Sequence, residues 1–328
     1  MAQAKPSNVL ITGGLGYVGG RVAEHLIKSA SGLSVRLMTH SPAHQIPDWA
    51  TEIETVHGDV LDDASIASAL DGVDTVIHLA AVNEIQSAND PDLALEVNGR
   101  GTYRLLERCR QQGISRFVYF STFHVYGPEA AQPITEESPT RPVHPYAITH
   151  RLAEDYVNWF KHSHGINTMI FRLSNGFGYP TSPQVNRWSL VFNDLCLQAV
   201  RQQSVQLNSS GVQHRDFISL TDVARAVEHL LGLPGESWGD GLLNLGGGCS
   251  MSILDVANRV ADEYQSKYGV KIPVTAKESS PGQVSAPVDF SIEKFKRTGF
   301  SLAGNMSQEI QKTFEVCEQL PKEGSPAA

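Results

Sequence analysis

The chain has 328 residues, with 26 Lys and Arg against 35 Asp and Glu for a formal charge of −9, a length that suits roughly two domains at about 150 residues each. Apolar residues supply 41% and charged residues 19%, which excludes wholesale disorder and leaves material for a sizeable core. Without an extended Lys/Arg run, neither nucleic acid nor an anionic membrane is expected as the main partner; small molecules or a second copy of the chain are.

In chain order, strand-length apolar runs at Val9–Thr12, Val35–Met38, Ile53–His57, Thr75–Leu79, Phe117–Ser121 and Thr168–Leu173 alternate with segments of helical period. That alternation predicts an α/β fold, a Rossmann-like doubly wound parallel sheet with strands buried on both faces. One helix is expected to open at Asn89-Asp90-Pro91, carry Leu93, Val97, Leu105, Leu106 and Cys109, and stop at Gly113, with a capping residue and a proline marking its start. A second runs from Pro145 through Leu152, Tyr156, Trp159 and Phe160 to Gly165.

After Gly178 the composition turns polar and proline-rich, then reads as a helix to about Gln202 and a strand over Ser204–Leu207. Asp216–Leu233 reads as strand then helix and Leu242–Leu245 as a strand, both assigned to the first domain. The expected organisation is therefore a dinucleotide-type domain over 1–180 that regains the chain at about 212–245, and a smaller α/β substrate lobe from 181–211 and 246–320. The tail 321–328 is expected to be disordered.

Cys109, Cys196, Cys249 and Cys317 show neither a Cys-x-x-Cys pair nor zinc spacing, so reduced thiols and no metal are expected. The first apolar run falls short of the ~7–15 residues of a signal peptide, and no stretch reaches the ~20 of a membrane span, so a cytoplasmic location is expected.

The first strand feeds directly into Gly13-Gly14-Leu15-Gly16-Tyr17-Val18-Gly19. Glycines at 13, 16 and 19 permit a tight turn, close approach of backbone to a pyrophosphate, and close packing of helix on strand. The helix N-terminus then offers free N–H groups to phosphate. This spacing resembles the extended branch of the short-chain dehydrogenase/reductase superfamily, the NAD-dependent epimerase/dehydratase family, whose members act mostly on nucleotide sugars. The same resemblance is carried, in order, by Gly58-Asp59-Val60, His78-Leu79-Ala80-Ala81, Asn98-Gly-Arg-Gly-Thr102, Arg172-x-x-Asn175 and Arg215-Asp216-Phe217-Ile218.

The resemblance implies cofactor contacts at Gly13, Gly16, Tyr17, Val18, Gly19, Asp59, Val60, Leu79, Ala80, Ala81 and Asn98. At the end of the second strand an acid would select NAD and an Arg NADP; the chain has His40, either a phosphate contact or a solvated loop residue, so NAD and NADP both stay open.

Tyr146-Ala-Ile-Thr-His150 opens the second helix and stands where the family carries Tyr-x-x-x-Lys. The resemblance implies that Tyr146 exchanges a proton with a substrate hydroxyl, that Thr122 orients the reacting oxygen, and that the residue at 150 holds the cofactor ribose and supports the tyrosine. His150 in place of lysine admits three readings: a substitute with reduced or retuned activity, strongest if it shares a proton with Tyr146 as a coupled tyrosinate and imidazolium pair, a lost catalytic function, or a separate acid–base role. The first is the working expectation.

Relatives that are 4,6-dehydratases carry Asp-Glu where this chain has Phe123-His124, so dehydration is not expected; His124 is either an auxiliary acid–base group or a structural histidine. On the substrate side the resemblance assigns Arg215 to a diphosphate and Asn175 to a polar contact; in the polar stretch that opens the second lobe, Asn186-Arg187-Trp188 offers either base stacking and phosphate contact or, at Trp188, a structural residue. Ser280-Pro281-Gly282-Gln283-Val284 lacks an arginine common in relatives. The functional expectation is an NAD(P)-dependent oxidoreductase or epimerase of a nucleotide-activated sugar, with a reductase of another carbonyl compound or a non-catalytic sensor as alternatives. A homodimer is expected through a four-helix bundle of Pro91–Gln112 and Pro145–His164, driven by Leu95, Tyr103, Trp159 or Phe160.

Overall fold

A computed structural model describes residues 8–29, 32–40, 46–278 and 285–321; Ser41, the 280–284 segment and residues 322–328 lie outside these. The first half runs β1 (Asn8–Thr12), α1 (Tyr17–Lys28), β2 (Ser34–Thr39), β3 (Glu54–His57), α2 (Asp63–Ala69), β4 (Thr75–His78), α3 (Glu84–Asn89), α4 (Pro91–Ala94), α5 (Thr102–Gln112), β5 (Arg116–Thr122), α6 (Pro145–His164) and β6 (Asn167–Leu173). The second half runs β7 (Asn175–Phe177), α7 (Val191–Gln202), β8 (Val205–Gln206), β9 (His214–Ser219), α8 (Leu220–Gly232), β10 (Leu242–Leu245), β11 (Ser250–Ser252), α9 (Ile253–Tyr268), β12 (Val274–Thr275), α10 (Glu293–Lys296) and α11 (Met306–Glu318).

Seven strands form one parallel sheet in the order β3-β2-β1-β4-β5-β6-β10. The order reverses between β1 and β4, which opens a crevice at their carboxyl ends, the usual ligand position in such sheets. Side chains of one strand alternate between faces. Val9 and Ile11 pack with Val22, Leu26, Val223 and Val227 beneath α1 and α8, whereas Leu10 packs with Leu105, Leu106, Val157 and Phe160 beneath α5 and α6. Both faces of the sheet are therefore dry.

The predicted helix from Pro91 to Gln112 is continuous but not uniform. Asp90 caps it by accepting from the Leu93 N–H, Pro91 takes the first position, and Gly113 ends it in the left-handed conformation. Between α4 and α5, Leu95–Gly101 widens into a π-helical turn, a distortion that often marks functional positions.

The strand expected at Asp216 is β9, which pairs with β7 and β11 in a separate three-stranded sheet. The chain meets the first layer again as α8, packed on α1, as β10, which pairs with β6 at the sheet edge, and through Phe295 of α10. A third core, including Phe177, Phe192, Leu195, Val256, Val260 and Phe314, fills the space between α7, α9 and α11. Arg21 of α1 and Glu309 of α11 join this unit to the first one by a buried two-pronged pair, with Arg21 Nη1 and Nη2 each 2.9 Å from a carboxylate oxygen.

Candidate active site

The glycine turn lies at the crevice between β1 and β4. Gly13 has φ +68°, and a Cβ there would lie 2.9 Å from the Ala80 nitrogen; a Cβ on Gly19 would lie 2.2 Å from the Gly13 carbonyl oxygen. Only glycine lets α1 begin this close to the sheet and to the loop Leu79–Ala81. The Thr12 hydroxyl, fully buried, receives the Leu79 and Ala80 N–H groups at 3.2 and 3.3 Å and holds that loop against the turn. At the first turn of α1 the N–H groups of Tyr17 and Val18 have no preceding helical carbonyl.

Several predicted cofactor residues prove to be scaffold in their side chains. The Tyr17 hydroxyl donates to the Gly178 carbonyl at 2.8 Å, so its side chain is committed to the scaffold and leaves its backbone N–H at the glycine turn. Asn98, assigned to the cofactor, is 1% exposed. Its Oδ1 accepts from Val82 N at 2.7 Å and its Nδ2 donates to the Thr149 hydroxyl at 3.1 Å, so its amide clamps the loop after β4 to α6. Val60 is buried in the second core. Asp59 is exposed and bonds the Leu61 N–H at 2.8 Å with one oxygen, and His40 is exposed at the end of β2.

Tyr146 and His150 share one face of α6, with ring centroids 4.4 Å apart. The His124 ring stands edge-on to Tyr146 at 6.5 Å, on the short turn that the Thr122 side chain caps after β5. Burial pushes the Tyr146 phenol up to about 12, the Glu84 carboxylate raises it further, and the Arg187 guanidinium and the Thr122 hydroxyl bond oppose both. Burial lowers His124 to about 4, assisted by the positive charge of Arg215.

The expected proton-sharing pair of Tyr146 and His150 is not formed. His150 Nδ1 is instead 2.6 Å from the Tyr119 hydroxyl, and burial, with smaller contributions from His78 and His124, lowers the imidazole to about 3. His150 is therefore neutral at pH 7 and supplies no cation. Its Nε2 is buried without a protein hydrogen-bond partner among the described residues. His78 is neutral as well, on hydrogen-bond grounds. Thr102 Oγ1 donates to the Asn98 carbonyl and so accepts from His78 Nε2, while Thr12 Oγ1, already receiving two N–H groups, donates to His78 Nδ1.

On the substrate side, Arg215 of β9 is half-buried and has no ion pair among the described residues. Arg187 is paired with Glu84 of α3 at 3.0 Å. Asn175 spends its amide N–H on the Asp216 carbonyl at 2.9 Å, Asn186 is exposed, and Trp188 packs on the third core. Sequence reasoning missed Tyr119 and Glu84: the first looks like one more apolar strand residue, and nothing local to the second marks its partner in sequence. No group of three or more potential metal ligands occurs among the described residues, and no described helix is long and apolar enough to cross a membrane.

A sequence model described as "NAD dependent epimerase/dehydratase family" matches residues 9–246, from the glycine turn through β10. The chain belongs to this family. Members similar to it include an uncharacterized UDP-glucose epimerase, YtcB, of Bacillus subtilis (strain 168), 28% identical over 77% of this chain and 81% of the relative. A dTDP-glucose 4,6-dehydratase of Escherichia coli is 27% identical over 78% of this chain and 76% of its own. Among solved structures of related fold, the UDP-glucose 4-epimerase of Thermus thermophilus in complex with NAD superposes with a TM-score of 0.77 at 26% identity, covering 95% of this chain and 99% of that one. The family's NAD-dependence agrees with a glycine cradle that tolerates no Cβ and with the orphaned Nε2 of His150.

Proposed function

We propose that this protein is an NAD(P)-dependent epimerase or oxidoreductase of a nucleotide-activated sugar. The observation that carries the reading is the placement of the Tyr146 phenol between the Thr122 hydroxyl and the ring of His150, with the buried, unpartnered Nε2 of His150 beside it. The nicotinamide of the bound cofactor supplies the hydride acceptor and donor. The glycine turn and the first N–H groups of α1 would hold its pyrophosphate, and His150 Nε2 would be the contact to its ribose. Tyr146 takes the proton of a sugar hydroxyl as that carbon is oxidised and returns it on reduction, while Thr122 orients the oxygen. Arg187, rather than His150, is the cation whose charge favours the tyrosinate. Since His40 is neither the acid that selects NAD nor the arginine that selects NADP, the reading admits both.

Dehydration is not part of the proposal, because Phe123 has no titratable group to partner His124, and Glu84, the carboxylate that acts on His124, is committed to Arg187 at 3.0 Å. Arg215 is assigned to the diphosphate of the substrate: its forked guanidinium has no ion pair among the described residues and suits two phosphate oxygens. Arg215→Ala is expected to weaken binding of a UDP- or dTDP-sugar by about 10-fold to 100-fold while changing NAD affinity less than about 2-fold. Isothermal calorimetry of both ligands checks it, and equal loss of both, or of neither, would make Arg215 a structural residue and favour a substrate without a diphosphate.

A homodimer through the helices α4–α5 and α6 is also proposed. Leu95, Tyr103 and Trp159 are 48%, 36% and 47% exposed on these helices, whereas Phe160, offered with them from sequence, is fully buried and contributes nothing to such a surface. Light scattering at micromolar concentration is expected to give twice the chain mass; a monomer would contradict it.

A further inference from the structure

We propose that Tyr119 is a positioning residue: its hydroxyl donates to Nδ1 of His150 and so fixes the imidazole as the Nε2–H tautomer, presenting a neutral hydrogen-bond donor to a hydroxyl oxygen of the cofactor ribose. The inference rests on the cofactor reading above for the identity of the acceptor, but the tautomer follows from the protein alone.

The 2.6 Å contact between Tyr119 Oη and His150 Nδ1 admits two proton arrangements. If Nδ1 carried the proton and donated to the phenol oxygen, the phenol proton would need another acceptor. His150 is the only hydrogen-bond partner of that hydroxyl among the described residues, and Nε2 would also be left as a bare, buried lone pair. With Tyr119 donating, the phenol proton and Nδ1 are both satisfied, and the single unmet group is an N–H at Nε2. An unmet buried polar group costs about 1–3 kcal/mol, so the second arrangement wins by one such group.

An imidazolium is disfavoured by what surrounds the ring. Tyr119 faces it from β5, Tyr146 from its own helix, and neutral His78 and His124 from β4 and the turn after β5. The nearby carboxylate, Glu154, is committed to Arg172 at 2.7 and 3.0 Å and to the Ser121 hydroxyl at 2.6 Å. Glu84, the carboxylate that acts on Tyr146 and His124, is paired with Arg187 at 3.0 Å, so among the described residues around the ring no counter-ion is free to hold a buried cation. Where the sequence pattern leads one to expect an ammonium, this chain thus has a donor whose strength does not change with pH through the neutral range.

The test uses 15N-labelled, cofactor-free protein, with the His150 resonances assigned by their absence in His150→Gln. Long-range nitrogen–proton spectra at pH 7 are expected to show Nδ1 unprotonated and Nε2 protonated; a protonated Nδ1, alone or with Nε2, overturns the proposal. In folded Tyr119→Phe the two tautomers are expected to mix, and the dissociation constant for NAD to rise about 10-fold. His150→Gln, which keeps a neutral N–H donor, is expected to stay within about 3-fold of wild type, whereas His150→Phe loses about 10-fold. An unchanged tautomer in Tyr119→Phe would sink the positioning role. Wild-type protein that shows the expected tautomer yet binds neither NAD nor NADP would refute the cofactor reading and the proposed acceptor together, leaving Tyr119 only the tautomer.

Discussion

Tyr146→Phe is expected to reduce turnover of a nucleotide sugar by about 10²-fold to 10⁴-fold, the range for removal of a general acid–base group, while NAD binds as before. The loss follows from the surroundings of the phenol. Phenylalanine keeps the ring that packs against His150 at 4.4 Å and deletes only the hydroxyl that Thr122 bonds. In the oxidising direction the phenol must act as tyrosinate, and burial with the Glu84 charge disfavours that form. The sign is therefore fixed: with the phenol near 12 in the cofactor-free protein, wild-type kcat/KM for oxidation rises with pH across the neutral and alkaline range, and the rise disappears in the phenylalanine variant. A flat wild-type profile, or a variant within 5-fold or so of wild type, would remove Tyr146 from the proton step.

The second large effect is on stability. Glu154 of α6 and Arg172 of β6 are 1% and 5% exposed and paired at 2.7 Å, and Glu154 also accepts from the Ser121 hydroxyl next to Thr122. The Arg172 guanidinium lies over the Tyr126 ring at 4.7 Å. This pair seats the helix that carries Tyr146 and His150 onto β6, and the Ser121 bond ties the same carboxylate to the strand that ends in Thr122. Glu154→Ala strands a buried guanidinium and is expected to cost about 3–5 kcal/mol. Replacing both residues by apolar ones of similar volume, Glu154→Leu with Arg172→Met, is expected to recover most of that, since the pair's attraction largely offsets its own desolvation. Urea denaturation of wild type and the two variants measures this. A single-variant loss below about 1 kcal/mol would mean that solvent reaches the pair and that it does not anchor the helix.

Most of the parallel strands were legible because they are buried on both faces and so read as nearly unbroken apolar runs, the edge strand β3 excepted; Leu242–Leu245 matches its strand residue for residue. The strand at Asp216 was legible as a strand, but its pairing with β7 and β11 was not, because an apolar run states burial and not the neighbour it pairs with. At the site, position was readable and direction was not. The spacing of Tyr146 and His150 put both on one face of a helix, but the partner of His150 is Tyr119, which depends on how α6 packs against β5. Tyr17 and Asn98 stand beside the crevice as the glycine turn and the helix pattern imply, and then point their polar atoms into the scaffold. The Arg187 and Glu84 pair joins residues 103 apart in sequence, beyond any local pattern.

The central claim is hydride transfer assisted by Tyr146, and single-turnover spectroscopy tests it most directly. Protein loaded with NAD or NADP would be mixed with a panel of UDP- and dTDP-sugars while the near-ultraviolet absorbance of the reduced cofactor is followed. Wild type is expected to show reduced cofactor with at least one sugar, transient if the hydride returns to the substrate and lasting if it does not, and Tyr146→Phe none on the same timescale. A sugar nucleotide that binds wild type tightly, with cofactor in place and no reduction at any pH, would contradict the account and leave a protein that senses these ligands without transforming them.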